Sequence, residues 1–326
     1  MKVEQAIRGF LDYGQTEKNL SDRTLRAYES DLFQFHSHLE ETGADEITGD
    51  VLEGYVTKLN DGPYRDTSVR RKVAALKIFF RYMEDKGLVE ESPARRLKIR
   101  KPIEQKAPNV LSTREIRALL LAPKQQIEET WENRDTSRGA RNRYFCAVRD
   151  DLILELLFTT GIRIGELVAL DVSDVDLETV TLRITGRGDR ARDVSIGSPI
   201  VRKALEEYLD LREEREVTAR ALFIGRSNTR LTIYSIENIF KKYAKLASIK
   251  RRVTPHSLRH TMASMLVSGG ADIRDVQELL GHASILSTQI YAKMGNGDSS
   301  SSKTGNHRDQ VMLDAPSARL PIRKRK

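Results

Sequence analysis

The sequence of 326 residues predicts a mainly α-helical protein with a small β-sheet, divided into two domains. Apolar residues recur at three- and four-residue steps through residues 3–87, which is the period of a helix. A segment rich in proline and basic residues, SPARRLKIRKPIEQKAP, lacks this period and predicts a linker. Beyond it, VTLRIT at 180–185 alternates as a strand does, and the turn residues GRGD followed by RDVSI predict a β-hairpin among further helices.

The N-terminal part is predicted to form about four helices, a small bundle of its own. Start signals lie at Ser21, Asp50 and Thr67, and a stop signal lies near Gly43. Two apolar faces are expected to build its core: Leu25, Tyr28, Leu32, Phe35 and Leu39, and then Val69, Val73, Leu76, Phe79, Phe80 and Met83.

The opposite faces of these helices carry a set of basic side chains: Arg65, Arg70, Arg71, Lys72, Lys77 and Arg81. Such a set is most often a solvated surface, but beside a nucleic-acid site its members become candidate phosphate contacts. The linker adds Arg100 and Lys101. A basic linker fits a chain that wraps a duplex, and it fits a merely solvated spacer equally well.

The second domain is predicted to begin with a helix capped by Ser112, because Glu115 three residues later completes a capping box. The polar segment at 124–143 is interpreted as an insertion or a partly helical loop. Helical sequence resumes at about 144–159. Further helices are expected near 199–215, 232–247, 255–268, 272–280 and 285–294, before the low-complexity sequence GNGDSSSSKTGN.

Composition narrows the classes of function. The formal net charge is +8, which is compatible with a polyanionic partner without requiring one. The single cysteine, Cys146, excludes an internal disulfide and is expected to be a buried thiol. No apolar run approaches the roughly 20 residues that a membrane helix needs, and the N-terminus lacks the pattern of a signal peptide. We therefore expect a soluble, cytoplasmic protein with no membrane contact.

Polar side chains concentrate in two places. In TPHSLRHT, His256 and Arg259 are three residues apart on a helix that begins at Thr254, where backbone N–H groups favour an anion. In TTGIRIGEL, Glu166 follows Arg163 by one turn, a spacing at which a carboxylate can orient a guanidinium.

Two more candidates follow downstream. His282 is predicted at a helix end, and Tyr291 nine residues later on a short helix. Two arginines, two histidines and a tyrosine are the groups needed to attack a phosphodiester, with the arginines on the non-bridging oxygens and the phenolate as nucleophile. Taken singly, each of these residues is more often structural than catalytic. His256 could also bind zinc together with His260, four residues later, or His260 could simply have a supporting role in the core.

The ordered motifs TGIRIGEL, HSLRHT and LGHAS, with the tyrosine nine residues past the last histidine, resemble the signature of the tyrosine recombinases. The resemblance implies a helical core-binding, SAM-like domain at 1–95 and a mixed α/β catalytic domain at 111–294. Composition predicts a basic linker between them at 96–110 and a flexible basic tail at 295–326. The two domains would form a C-shaped clamp around duplex DNA.

The resemblance also implies roles for individual residues. Tyr291 would form a 3′-phosphotyrosine link to DNA, while Arg163 and Arg259 hold the phosphate. His256 would take the tyrosyl proton, and His282 would support the transition state. Glu166 would orient Arg163, in a reaction that needs no metal, ATP or other cofactor. Strand exchange would proceed through a Holliday junction in a tetramer on two DNA sites, with an accessory protein as a possible partner.

One position departs from the family pattern. The family usually has a lysine in the hairpin turn as general acid towards the leaving 5′-oxygen, and Arg187 stands there in this sequence. An arginine does not readily give up a proton near neutral pH. Arg187 could still hydrogen-bond the leaving group, with Arg190 or Arg192 as substitutes.

Two other functions stay open at this level. A type IB topoisomerase uses similar chemistry but relaxes DNA without paired sites. A DNA-binding regulator that has lost turnover would account for the missing lysine.

Overall fold

The computed structural model describes residues 2–39, 47–97, 109–186 and 191–280. Over these ranges the chain forms eleven α-helices and one three-stranded antiparallel sheet, which confirms the predicted fold class. The chain divides into two compact units, Met1–Lys106 and Ala107–Lys326. The point of division falls within the predicted linker, and the finer domain boundaries stay predictions.

The N-terminal unit consists, over its described residues, of the four helices that the sequence predicts. They are α1 (Val3–Thr16), α2 (Asp22–His36), α3 (Gly49–Asp61) and α4 (Asp66–Asp85). The hydroxyl of Ser21 accepts a hydrogen bond from the backbone N–H of Thr24 and so caps α2 as expected. The caps of the next two helices are Thr48 and Arg65, each two residues before the predicted starts at Asp50 and Thr67. The stop predicted near Gly43 lies outside the described residues.

Apolar side chains from all four of these helices meet in one core. All six predicted inward residues of α4 are at most 3% exposed. The ring of Phe10 on α1 packs edge-on against Phe79 with centroids 5.7 Å apart, and Phe35 on α2 packs edge-on against Phe80 at 6.2 Å. Burying each such ring contributes about 1.5–3 kcal/mol, so the apolar stripes determine which helix faces turn inward.

The C-terminal unit contains seven helices and three short strands in its described part. Its helices are α5 (Thr113–Trp131), α6 (Arg138–Thr160), α7 (Ile164–Ala169), α8 (Pro199–Glu213), α9 (Ile233–Leu246), α10 (Pro255–Ser268) and α11 (Ile273–Leu280). Helix α6 is the central one, because its side chains are buried on every face from Tyr144 to Thr160. Cys146 lies on it and is buried, as predicted.

Residues 124–143, interpreted as an insertion or a partly helical loop, are helical at both ends, and only residues 132–137 lie between the two helices. The capping box of Ser112 and Glu115 is present as predicted, but α5 continues through Pro123 to Trp131, and α6 begins at Arg138. A proline costs a helix one N–H donor, and here the side chain of Pro123 is buried. Helix α5 also packs along α6.

The sheet has the order β1 (Val175–Asp176), β2 (Thr181–Thr185) and β3 (Ala191–Ser195), with both pairs antiparallel. The predicted hairpin is therefore confirmed. Strand β1 was not predicted, since two residues are too few for an alternating pattern. Its partner strand β2 turns Leu182 and Ile184 into the core.

Candidate active site

Helix α6 ends at Gly161, and this corner organises the site. Gly161 has φ +62°, a left-handed conformation that favours glycine, and its N–H bonds to the carbonyl of Leu157 at 3.2 Å. A Cβ at this position would lie 2.2 Å from Cε of Met262 and 3.0 Å from Cδ2 of Leu280. Only glycine therefore allows α10 and α11 to approach the corner this closely.

Arg163 follows two residues later, at the N-terminus of α7, and it is held by Glu166. The backbone N–H of Arg163 donates to Glu166 Oε2 at 2.8 Å, and Nη1 donates to Oε1 at 2.9 Å. The side chain of Arg163 is 40% exposed, whereas that of Glu166 is 8% exposed. The predicted spacing thus produces a buried carboxylate that fixes an accessible guanidinium.

The carboxylate of Glu166 also receives both terminal nitrogens of Arg192 on β3, at 3.0 and 2.9 Å. Burial alone would raise the pKa of Glu166, but the hydrogen bonds from Arg192 and Arg163 outweigh it and lower that pKa below its ordinary value. Glu166 is therefore an anion at neutral pH. The guanidinium groups of Arg163 and Arg192 are both hydrogen-bonded to this anion.

Helix α10 begins as predicted, with Thr254 as its cap and Pro255 in its first turn. His256 is exposed and Arg259 is buried, with 6% of its surface accessible. The two residues thus differ in burial although they lie one turn apart on the same helix.

The guanidinium of Arg259 reaches two helix ends. It donates to the carbonyl of Gly161 and, at 2.5 Å, to the carbonyl of Leu280, the last described residue of α11. The first of these contacts joins α10 to the corner that carries Arg163. Arg259 therefore contacts the residue that lies two positions before Arg163. The corner at the end of α6 thus links the two arginines that are predicted to hold the phosphate.

His260 is half-buried on the same helix. Its pKa is lowered below the ordinary histidine value, first by burial and then by the nearby charges of His256 and Arg259. In the described parts of the chain, no group of three His, Cys, Asp or Glu side chains could hold a metal ion. The zinc interpretation of His256 and His260 gains no third ligand there.

Several predicted site residues fall outside the described ranges. These are Arg187 in the hairpin turn, His282 and Tyr291 after α11, and Arg100 and Lys101 in the linker. Their catalytic or DNA-binding roles stay predictions. Arg190, the other substitute considered in the hairpin, lies outside as well.

Arg192 has a different role from the one considered for it. It was a substitute for Arg187 at the leaving group, but both of its terminal nitrogens are bound to Glu166. The sequence did hold a signal for this contact. Arg192 has the same parity on β3 as the buried Val194, so it points to the inner face, where a cation needs a carboxylate.

A second contact set joins the end of the predicted linker and the start of the catalytic unit to α10 and the loop before it. Arg251 donates to Glu115 Oε1 at 2.8 Å and to the side chain of Asn109 at 2.9 Å, and Asn109 donates to the carbonyl of Arg252 at 2.9 Å. The backbone N–H of Leu111 bonds to the Thr261 hydroxyl on α10 at 2.8 Å. Sequence patterns alone did not predict this anchor.

The basic side chains predicted to contact DNA in the N-terminal unit differ in burial. Lys77 is exposed, and Arg70 is half-buried. Arg71 has a half-exposed side chain that pairs with Asp31. Lys72 does not lie on the exposed face, so that prediction is wrong: its amino group is buried and donates to Asp31 at 2.8 Å. An ammonium held in this way is not accessible to a phosphate.

Two family models match the chain. The model described as the phage integrase family matches residues 123–296, and the model of the phage integrase N-terminal SAM-like domain matches residues 7–87. Together they cover most of both units.

The described part of the chain contains no helix with the length and apolar character to cross a membrane.

Individual proteins give the same result. A tyrosine recombinase of Agathobacter rectalis is 36% identical over 291 residues, which are 89% of this chain and 92% of the relative. A tyrosine recombinase XerC of Roseiflexus castenholzii is 34% identical over 305 residues, or 91% of each chain. The crystal structure of the XerH site-specific recombinase bound to a palindromic difH substrate has a similar fold, with a TM-score of 0.69 and 22% identity over 86% of this chain and 78% of that one.

Proposed function

The chain belongs to the phage integrase family and is a site-specific tyrosine recombinase, and we propose that Tyr291 attacks a DNA phosphate held by Arg163 and Arg259. One observation supports this assignment above the others. Arg259 donates to the carbonyl of Gly161, and Arg163 follows that glycine by two residues. Two guanidinium groups anchored at one corner can bind the two non-bridging oxygens of a single phosphate.

The proposed reaction is a transesterification. The phenolic oxygen of Tyr291 forms a bond to phosphorus, the bond to the 5′-oxygen breaks, and the tyrosyl proton passes to His256. His256 suits this role because it is exposed at the start of α10, one turn from Arg259. His282 is proposed to hydrogen-bond the transition state.

The phosphotyrosine bond conserves the energy of the broken phosphodiester. A 5′-hydroxyl from another duplex can therefore attack it, restoring the tyrosine hydroxyl and joining the exchanged strands. No ATP or metal is needed for this balance. Arg187 is proposed to hydrogen-bond the first leaving 5′-oxygen and not to protonate it, since arginine is a poor acid.

Duplex DNA is the proposed partner of both units. Arg70, Arg71 and Lys77 on α4, together with Arg100 and Lys101 of the linker, are the proposed phosphate contacts. Lys72 is left out because it is buried. Self-association to a tetramer on two sites, a cytoplasmic location and an accessory protein complete the proposal. The tetramer agrees with the chemistry of pairwise strand exchange.

Trapping the covalent intermediate tests the proposal directly. A suicide substrate with a nick next to the cleavage site loses its leaving fragment, so that the phosphotyrosine adduct accumulates. We expect wild-type protein to form the adduct and the Tyr291→Phe variant to form none. An adduct that persists in Tyr291→Phe would reject the assignment of the nucleophile.

Two further assays with the wild-type protein separate the two alternative functions, the topoisomerase and the DNA-binding regulator. Relaxation of supercoiled plasmid without any recombination site would indicate a topoisomerase. Tight duplex binding without any adduct would indicate a regulator. Neither alternative is favoured by the relatives, which are named recombinases.

A further inference from the structure

Among the described residues of the hairpin, Arg192 on β3 makes a bidentate contact with Glu166. Its two terminal nitrogens donate to the two oxygens of Glu166, Nη1 to Oε1 at 3.0 Å and Nη2 to Oε2 at 2.9 Å. This is the bidentate arrangement in which a planar guanidinium matches a carboxylate in both distance and direction. Only 24% of the Arg192 side chain and 8% of the Glu166 side chain are exposed. Solvent therefore weakens this ion pair less than it would a surface pair.

The same two oxygens hold Arg163. Oε2 accepts from its backbone N–H and Oε1 from its Nη1, so Glu166 accepts four hydrogen bonds, two from each arginine. A carboxylate offers about four lone-pair sites, and all of them are used here. The guanidinium of Arg163 is therefore held by a carboxylate that Arg192 also holds.

We propose that Arg192 is a positioning residue for the cleavage reaction, acting through Glu166 on Arg163. The inference rests on the proposed function, because Arg163 must hold the phosphate for its position to matter. Without Arg192, the Glu166 carboxylate could rotate together with Arg163. The guanidinium of Arg163 would then no longer be held in the orientation that binds the phosphate. Groups that orient a reacting residue in this way are typically worth 10- to 100-fold in activity.

The position of Arg192 in the sheet extends the link to the hairpin. It pairs with Ile184 of β2, one step from the last pair before the turn, Thr185 with Ala191. The Glu166 contact thus joins the end of the hairpin to the corner that carries Arg163. A purely structural role would be to anchor this hairpin, and the experiment has to separate the two roles.

A double-mutant cycle separates them. Arg192→Ala and Arg163→Ala are made singly and together, and the rate of adduct formation is measured at saturating protein on the nicked substrate. If Arg192 acts through Arg163, its removal should cost about tenfold or more in the wild-type background and less than about threefold in the Arg163→Ala background. Equal losses in both backgrounds, or no loss at all, would overturn the proposal.

A modified substrate adds a readout that hairpin anchoring alone would not predict. A sulfur in place of the bridging 5′-oxygen leaves as a thiolate and needs no proton. Restoration of Arg192→Ala to the wild-type rate on this substrate would show that Arg192 serves the leaving group, and it would reject the proposal. We expect the defect to persist, since orientation of the non-bridging oxygens is still required.

Two further variants serve as controls. Arg183→Ala removes an arginine from the same hairpin, on β2, where its exposed side chain pairs loosely with Asp193 at 3.6 Å. It should leave the rate within about twofold of wild type, as most exposed pairs contribute little. Arg192→Lys keeps the charge but lacks the fork, and it should show the same dependence on Arg163.

The cycle also stays informative if Arg192→Ala does not fold, because Arg192→Lys then takes its place in both backgrounds. The wild-type adduct and its loss in Tyr291→Phe test the proposed function independently. Failure of the cycle with an intact wild-type adduct would reject only the role of Arg192.

Discussion

Lys72 in the N-terminal unit and Arg259 in the C-terminal unit are equally buried, with 6% of each residue exposed. Their partners differ. The ammonium of Lys72 donates to the carboxylate of Asp31, whereas the guanidinium of Arg259 donates to the backbone carbonyls of Gly161 and Leu280. A carboxylate neutralises the cation that it binds, while a carbonyl carries only partial charge and fixes direction. Depth of burial therefore does not identify the role of a cation, but its partners do.

Removing Asp31 should give the largest change in stability. Asp31→Ala leaves the ammonium of Lys72 buried without its carboxylate, and breaking a buried pair in this way costs about 3–5 kcal/mol of unfolding free energy. Urea unfolding of the full chain measures the loss. The Asp31→Ala, Lys72→Met double variant should recover most of it, because no buried charge is left. A cost below about 1 kcal/mol in the single variant would contradict a structural pair.

Removing Arg259 should act on the reaction instead. Arg259→Ala is expected to lower the rate of adduct formation by at least about 10²-fold, the scale for loss of one donor to a transition state. Arg259→Lys keeps the charge but cannot reach both carbonyls with a planar fork, so it should also be impaired. The rate of adduct formation by folded protein is the measurement. A rate equal to wild type in either variant would remove Arg259 from the site.

The pair of Arg251 and Glu115 extends the comparison to a more exposed position, with 38% and 27% of the two side chains accessible. The hydrogen bond from Arg251, followed by those of Ser112, lowers the pKa of Glu115 to about 2 against the effect of burial. A depressed carboxyl pKa gives stability that is present above the ordinary value of about 4.5 and is lost as the pH falls towards 2.

Glu115→Gln should therefore cost about 1 kcal/mol at pH 7, after allowance for solvent screening, and almost nothing near pH 2. The unfolding free energies of the two proteins, compared across this range, give the answer. A difference that does not change with pH would mean that the charge of Glu115 has no part in the contact.

The smallest effect concerns DNA affinity. Lys77→Ala should reduce the slope of log affinity against log salt by about 0.9, the value for one phosphate contact. Lys72→Met on the same helix should leave the slope unchanged, because that ammonium is buried. Equilibrium binding of a duplex at several salt concentrations measures both. Equal slopes for the two variants would show that burial does not separate these lysines.

Much of this architecture could be predicted from sequence, because periodicity reports directly which face of an element is apolar. The six inward residues of α4, the capping box at Ser112 and the start of α10 at Thr254 all follow from local patterns. The contact of Arg163 with Glu166 is equally local, since three residues separate them in one turn of helix.

The errors involve partners that are distant in the sequence. Lys72 was placed on the surface because its burial depends on Asp31, which is 41 residues away. Arg192 was considered as a substitute for Arg187 at the leaving group because its partner Glu166, 26 residues earlier, was not predicted. Local periodicity cannot report such pairs. Inward parity on a strand would have indicated only that Arg192 needs some carboxylate.

The contacts around Asn109 have a practical consequence for building hybrid recombinases. Asn109 and Leu111 are hydrogen-bonded to the loop before α10 and to α10 itself, so these residues belong structurally to the catalytic unit. A foreign N-terminal unit should therefore be fused upstream of Asn109. A fusion point placed after Leu111 would replace Asn109 and Leu111. It would thereby put at risk the hydrogen bonds that hold the helix of His256 and Arg259 and the loop before it.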